Sequence, residues 1–197
     1  GSYDGFTYST HKGKQGWTSI YNDYALGANA NLVWATSDRN DLKVGANYKY
    51  DVHRSHNVGE PVAHISEGIY SFAVEDEARL SPQLSATASV GWFARQGYKI
   101  DEYNAKRGLA EMPNSHDGNV NALAAIDYHP SALHHFRFTV SRSSLFARMK
   151  DRYSYKLGKA IPKPDLGTEK SVNIDAAYEG HWQNLRWHAG VFYNFIN

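Results

Sequence analysis

The stretch YALGANANLVWATSDRNDLKVGANYKY, residues 24–50, decides the fold. Successive residues of an extended chain point to opposite faces. Here Tyr24, Leu26, Ala28, Ala30, Leu32 and Trp34 share one face, against Gly27, Asn29 and Asn31 on the other. Thr36-Ser37-Asp38-Arg39-Asn40-Asp41 reads as a turn, after which Leu42, Val44, Ala46, Tyr48 and Tyr50 oppose Lys43, Gly45, Asn47, Lys49 and Asp51. The two halves form an antiparallel hairpin, apolar on one side and polar on the other. An amphipathic helix would repeat its apolar positions at i, i+3 and i+4, and this stretch does not.

The same strand type recurs outward from the hairpin. Tyr70, Phe72, Val74, Ala78 and Leu80 oppose Ser71, Ala73, Glu75 and Glu77, with Asp76 out of phase. Leu84, Ala86, Ala88, Val90 and Trp92 follow a tight Ser81-Pro82-Gln83 turn. Val120, Ala122, Ala124, Ile126 and Tyr128 lead into a His129-Pro130-Ser131-Ala132 turn, then Phe136, Phe138 and Val140. Val172, Ile174, Ala176 and Tyr178 oppose Asn173, Asp175, Ala177 and Glu179, and a turn at 180–184 joins them to a last strand with Leu185, Trp187, Ala189, Val191, Tyr193 and Phe195. Between these hairpins lie long polar connections at 52–66, 95–118 and 146–169, of which 101–111 is the one segment with the composition for a helical turn. Short and long connections alternate strictly.

Composition narrows what such a sheet can be. The chain has 197 residues with a formal charge of +1, too balanced for a nucleic-acid surface. It holds 14 Tyr, 5 Trp and 16 Gly but no Cys, which removes disulfide frameworks and thiolate metal sites. No apolar run approaches the roughly 18 residues of a membrane helix. Strands of a membrane β-barrel need only about 9–11 alternating residues each, and that class stays open.

A soluble β-sandwich accounts for the alternation but does not require every second connection to be short. Membrane barrels do require it, with short turns on one side and long loops on the other. Aromatic residues near strand ends, among them Tyr24, Trp34, Tyr48, Tyr50, Trp92, Tyr128 and Trp187, sit where a girdle would lie. Lys43, Glu75, Arg137, Asp175 and Arg186 put charge in mid-strand on the other face, which a wet lumen tolerates and a dry core does not. The expected fold is therefore all-β, an antiparallel transmembrane β-barrel, with about ten strands in residues 1–197.

One segment carries a resemblance beyond this pattern. The run Arg148-Met149-Lys150-Asp151-Arg152-Tyr153-Ser154-Tyr155, followed by residues 160–173, resembles the NPDLKPE-S-N signature in the barrel of TonB-dependent outer-membrane receptors. Pro164, Asp165, Leu166, Glu169, Ser171 and Asn173 match, whereas Lys163 stands where the family commonly has Asn and Gly167-Thr168 where it has Lys-Pro. Val191-Phe192-Tyr193-Asn194 resembles the strand that usually follows. Locally, Pro162 and Pro164 stiffen the entry to the strand and Asp165 suits an Asx-type turn, so these residues read as corner-formers.

The resemblance implies a non-enzymatic receptor in the outer membrane of a Gram-negative bacterium. It would capture a scarce nutrient such as a ferric siderophore, haem, cobalamin or a glycan, and import it with energy from the TonB complex. Its partners would be membrane lipid, a small-molecule ligand such as a metal chelate, and TonB through a plug domain that this stretch does not display; no cofactor is implied. Such receptors close as barrels of 22 strands. An open arc of strands leaves unsatisfied backbone groups in hydrocarbon. The chain is thus expected to be a segment of a larger barrel or else a small self-closed barrel, acting as a pore or adhesin, with a soluble β-sandwich binding module as the further alternative.

Candidate ligand contacts are the loop residues Tyr98, Tyr103, Arg107, Arg148, Arg152, Tyr153 and Tyr155, whose cations and phenols suit anionic, catechol-bearing or sugar ligands. His53, His56 and His64 share a loop with Asp51 and Glu60, the composition of a metal site or of a solvated loop. His134 and His135 are adjacent on a strand and point to opposite faces. For catalysis, a Ser/His pair such as Ser141 or Ser143 with a lumen histidine is an example the sequence offers, without a supporting motif.

Overall fold

The computed structural model describes residues 1–12, 15–153 and 163–197. Ten strands and one short helix follow in the order β1 (Ser2–Lys12), β2 (Gln15–Ser37), β3 (Asn40–Asn57), β4 (Ala63–Ser81), β5 (Leu84–Asn104), β6 (Gly108–Glu111), β7 (His116–Ser131), β8 (His134–Leu145), α1 (Met149–Tyr153), β9 (Glu169–Trp182) and β10 (Leu185–Ile196). All belong to one antiparallel meander, β1-β2-β3-β4-β5-β7-β8-β9-β10, with β6 folded back on the far end of β5. The sheet is not closed: no pairing among the described residues joins β1 to β10.

At one end every connection is two residues long, at 38–39, 82–83, 132–133 and 183–184. Three of these turns use the same device. The hydroxyls of Ser37, Ser81 and Ser131 each accept a hydrogen bond from the backbone N–H two residues on, at 3.2 Å in every case. Such serine turns reverse the chain without a glycine. The fourth turn instead holds Gln183 at φ 52°, in the left-handed region.

The two faces differ as alternation requires. In register across the sheet, Trp34 pairs with Leu42, Val44 with Val74, Phe72 with Trp92, Ile126 with Phe138 and Val140 with Ile174. Among the described residues nothing packs on this face: Leu32 and Trp34 are 60% exposed, Phe72 50%, Ile126 50% and Val191 73%. Buried apolar side chains among the described residues number four, Val52, Ile100, Ala125 and Tyr153, far too few for the core of a sandwich. Rows of rings bound the apolar band. Toward the long connections Tyr24, Tyr50 and Tyr98 meet in sequence, beside Tyr48 and Tyr70; toward the short turns Tyr128, Phe136, Tyr178 and Trp187 do the same. Tyr24 and Trp34 lie ten residues apart on one strand. At about 3.3 Å per residue and a tilt of about 40°, that is roughly 25 Å along the barrel axis, the height of a membrane-facing band.

The opposite face is polar and internally paired. Lys43 Nζ lies 3.0 Å from Glu75 and 2.9 Å from Glu77; Asn47 donates to Ser71, Ser144 to Asn121, and Asn173 to Ser141 and Ser143. Asp76, out of phase in the sequence, accepts two hydrogen bonds from Asn40 Nδ2 at the short-turn end of the outer face.

Two expectations are corrected. Most of 52–66 and 95–104 is strand, because β3, β4 and β5 run on past the apolar band. Residues 101–111 are a hairpin rather than a helical turn, with Asp101 opposite Glu111 and Asn104 opposite Gly108. Asn104 Oδ1 accepts from Lys106 N, and Gly108 takes φ 77°, open to a residue without Cβ.

Candidate functional site

The polar face curves around a concavity of about 1110 Å³ at the long-connection end. Its walls are the extensions of β2, β3, β4 and β5, and its far side is the segment leading into α1. Asp23, His53, Glu67, Arg95, Phe146 and Tyr153 all line it.

That segment is held to the wall by a buried ionic cluster. Arg152 has no exposed surface; its Nη2 donates to Glu67 Oε2, its Nη1 to Tyr153 Oη at 3.1 Å and Ser115 Oγ at 3.3 Å, and its Nε to the Ala147 carbonyl at 3.0 Å. The guanidinium also lies 4.8 Å from the Tyr153 ring centroid. Glu67 serves a second cation, Arg95, whose Nη1 sits 3.9 Å away and donates to Ser115 Oγ at 3.0 Å. Glu67, Arg95 and Arg152 are all at least nine-tenths buried, so the two guanidiniums share Glu67 as their counter-charge. A five-residue helix has little intrinsic stability, and this cluster is what fixes α1 in place.

The predicted contact residues separate into groups. Tyr103 and Arg148 line the concavity, and Arg107 stands exposed at the tip of the β5–β6 turn. Arg152 is sealed in the cluster just described, and Tyr153, buried in the same cluster, also borders the concavity. Tyr98 is placed elsewhere, its ring joining Tyr50 and its hydroxyl bonding that of Tyr70 on the outer face. Tyr98 keeps the outward phase of Trp92, Ala94 and Gln96 because β5 continues as strand through it, and a bulge then leaves it unpaired, Ser66 pairing with Lys99 and Glu67 with Gly97. Tyr155 lies outside the described residues.

The loop histidines do not gather. His53 Nδ1 bonds Asp23 at 2.6 Å, and His64 faces Lys99 and Arg54 with its pKa lowered chiefly by desolvation and then by those charges. Among the described residues the His53, His56 and His64 group forms no metal-ligand cluster. Ser141 and Ser143 are engaged by Asn173, and Ser143 also by Ser171. At the start of β9, Leu166 N donates to the Lys163 carbonyl around a turn, Thr168 Oγ1 donates to Asp117, and Lys170 exchanges backbone bonds with Asn197. The residues from 163 onward thus turn into β9 through backbone bonds, and Pro162 lies outside the described residues. Sequence reasoning missed Glu67, Arg95 and Ser115, because their partners lie far along the chain and no local spacing marks them.

No protein-family model matches the chain, and neither does any curated protein sequence. Among solved structures it is similar to the copper transporter OprC, at 12% identity and TM-score 0.79, over 98% of this chain and 35% of that one. It is similar to the FrpB iron transporter from Neisseria meningitidis (F3-3 variant), at 11% identity and TM-score 0.68, over 92% of this chain and 29% of that one. The unliganded ferric citrate transporter FecA matches at 13% identity and TM-score 0.68, over 99% of this chain and 32% of that one. With 35%, 29% and 32% of those chains covered, this chain spans about a third of their length. At such identities the likeness establishes the fold, a run of neighbouring strands from the wall of an antiparallel β-barrel. The matched proteins are transporters by name, not enzymes.

Proposed function

We propose that this chain forms part of the barrel wall of a TonB-dependent receptor in a Gram-negative outer membrane, taking up a scarce nutrient carried as a small molecule. Ferric siderophore, haem, cobalamin and glycan are the ligand classes of this reading. The observation that carries it is the division of one sheet into a continuous exposed apolar band and an ion-paired polar face, which suits lipid on one side and water on the other. The likeness to the walls of transporters of copper, iron and ferric citrate supports it.

In this reading the short turns face the periplasm and the long connections face the medium. Tyr103, Arg107 and Arg148 meet the ligand, where cations and a phenol offer charge-assisted bonds and stacking. Arg152 and Tyr153 hold the segment that presents Arg148, and Tyr98 takes its place in the ring row at the membrane surface. Tyr155 belongs with the ligand-facing residues. The plug and TonB supply gating and energy, as the resemblance of residues 148–173 implies.

Gel mobility tests the membrane assignment and uptake tests the transport. The protein is expected in outer-membrane fractions, migrating differently before and after boiling, with uptake of a labelled ferric chelate that stops when TonB is removed. A chain that remains folded and monomeric in plain buffer, with mobility unchanged by boiling, overturns the reading. Ordinary heat-modifiable behaviour with TonB-independent flux would leave a barrel but not this kind of receptor.

A further inference from the structure

We propose that Asp127, His129 and His135 form a binding site for a divalent transition-metal ion of the Zn²⁺ or Cu²⁺ class, on the polar face at the short-turn end. The site is separate from the concavity at the opposite end, and the inference does not rest on the transport reading.

Each of the three side chains offers one ligand atom, and all three atoms lie within 4.8 Å of one another. The elements that present them are tied together by backbone. Asp127 pairs with Arg137 and His135 with Glu179 across the β7-β8-β9 ladder. His129 N donates to the Gln83 carbonyl at 2.7 Å, and His181 N to the Leu133 carbonyl at 2.9 Å, so the turn between β7 and β8 is pinned from both sides. The donor set is therefore presented by a scaffold rather than by a free loop.

The orientation of His135 is what a metal ligand requires. Its Nε2 lies 2.8 Å from Asp127 Oδ1, and its Nδ1 lies 3.8 Å from Glu179 Oε2. With Nε2 directed to the cluster, Nδ1 faces a second carboxylate. Metal-bound histidines use that arrangement to fix the tautomer and to strengthen the donor. The His129 and His135 rings stack at 4.0 Å and 8°. Both imidazoles reach one ion only when His129 swings out of the stack, and that side chain is exposed and free to do so. Metal–nitrogen bonds of about 2.0–2.1 Å then bring the donors to roughly 3.4 Å from one another. Arg137, 3.4 Å from Asp127 Oδ1, competes for the carboxylate through a side chain that is half exposed. An adjoining pocket of about 470 Å³, lined also by Gln83, Ser131 and His181, leaves room for water in the remaining coordination positions.

Two imidazoles and a carboxylate select borderline cations over Ca²⁺ and Mg²⁺, which prefer all-oxygen shells, and the set contains no sulfur to favour Cu⁺. The test uses tag-free protein in detergent micelles, with Zn²⁺ alone in calorimetry and Cu²⁺ alone in electron paramagnetic resonance. One ion per chain and nitrogen hyperfine structure from imidazole are expected. His129→Gln and His135→Gln each weaken binding by at least about tenfold, and Glu179→Gln, which removes no direct ligand, weakens it by about 10–100-fold. His56→Gln, in the concavity at the opposite end, serves as the control and leaves affinity unchanged. Because His129 is exposed, its substitution preserves the sheet, and boiling-dependent mobility verifies that. No binding by the wild-type protein, binding unaffected by His129→Gln, or a copper spectrum of oxygen donors alone overturns the proposal.

Discussion

Replacing Arg152 with alanine asks whether a single guanidinium holds α1 against the barrel wall. Arg152 is fully buried and satisfies Glu67, Tyr153, Ser115 and the Ala147 carbonyl at once. Removing one partner of a buried ion pair costs about 3–5 kcal/mol, because the remaining charge is left without compensation. Here Glu67 retains Arg95 at 3.9 Å, which places Arg152→Ala toward the low end, about 3 kcal/mol. Glu67→Gln leaves two buried guanidiniums with no carboxylate in contact and falls toward the high end, about 5 kcal/mol. In the double variant Arg95 is the one charge of the cluster left uncompensated, in place of the two repelling guanidiniums of Glu67→Gln, so its cost is smaller than the sum by about 1–3 kcal/mol. The assay is equilibrium guanidinium titration in detergent, combined with hydrogen exchange of the Asp151 and Arg152 amides, which donate to the Arg148 carbonyl. Strict additivity of the two substitutions, or unchanged exchange over 148–153 in Arg152→Ala, would refute the reasoning.

Two further outcomes follow from the faces and the rim. Ala46→Arg, near the middle of the apolar band on β3, should destabilise the protein in lipid by about 2–4 kcal/mol, whereas Asn47→Arg on the polar face should cost far less; equal costs in vesicle unfolding titrations would mean that the band does not face lipid. His64, at the start of β4 beyond the membrane band, has a folded-state pKa below its ordinary value because burial and the nearby Lys99 and Arg54 disfavour its cation. The unfolded state therefore binds that proton more readily, and stability falls as pH drops through the ordinary histidine range near 6.5. His64→Gln should flatten this part of the stability–pH curve, and an unchanged curve would remove His64 as its source.

The membrane-spanning part of the fold was legible because its two sides meet different solvents. Wherever lipid lies on one side and water on the other, the alternation is strict, as in Leu42 to Tyr50 opposite Lys43 to Asp51. Above the band both faces are wet, the alternation fades, and the upper parts of β3, β4 and β5 read as loop although they continue the same ladders. β1 escaped for a related reason, since Tyr8 shares the phase of Ser2 and Asp4 while Ser9 shares that of Tyr3, and no alternation marks it. Tyr98 continues the outward phase of Trp92, Ala94 and Gln96, which shows only once 95–104 is known to be strand; the bulge after Gly97, invisible in single-letter form, shifts the phase from Lys99 on. The candidate site was legible only in part. The run from Arg148 to Tyr153 stands out for its cations and phenols, but its burial depends on Glu67, 85 residues away in sequence from Arg152.

The strands are of very unequal length. β2 through β5 run to 18–23 residues, while β8, β9 and β10 have 12, 14 and 12. Beyond the ~11 residues that cross the bilayer, the longer group rises about 20–30 Å further and the shorter group ends almost level with the surface. The rim is thus a crest on one flank and a sill on the other. In the proposed receptor reading, a molecule diffusing in from the medium strikes the crest first and is guided down a slope toward Arg148, so residues high on β2 to β5 should govern how quickly it arrives and those on the sill how long it stays.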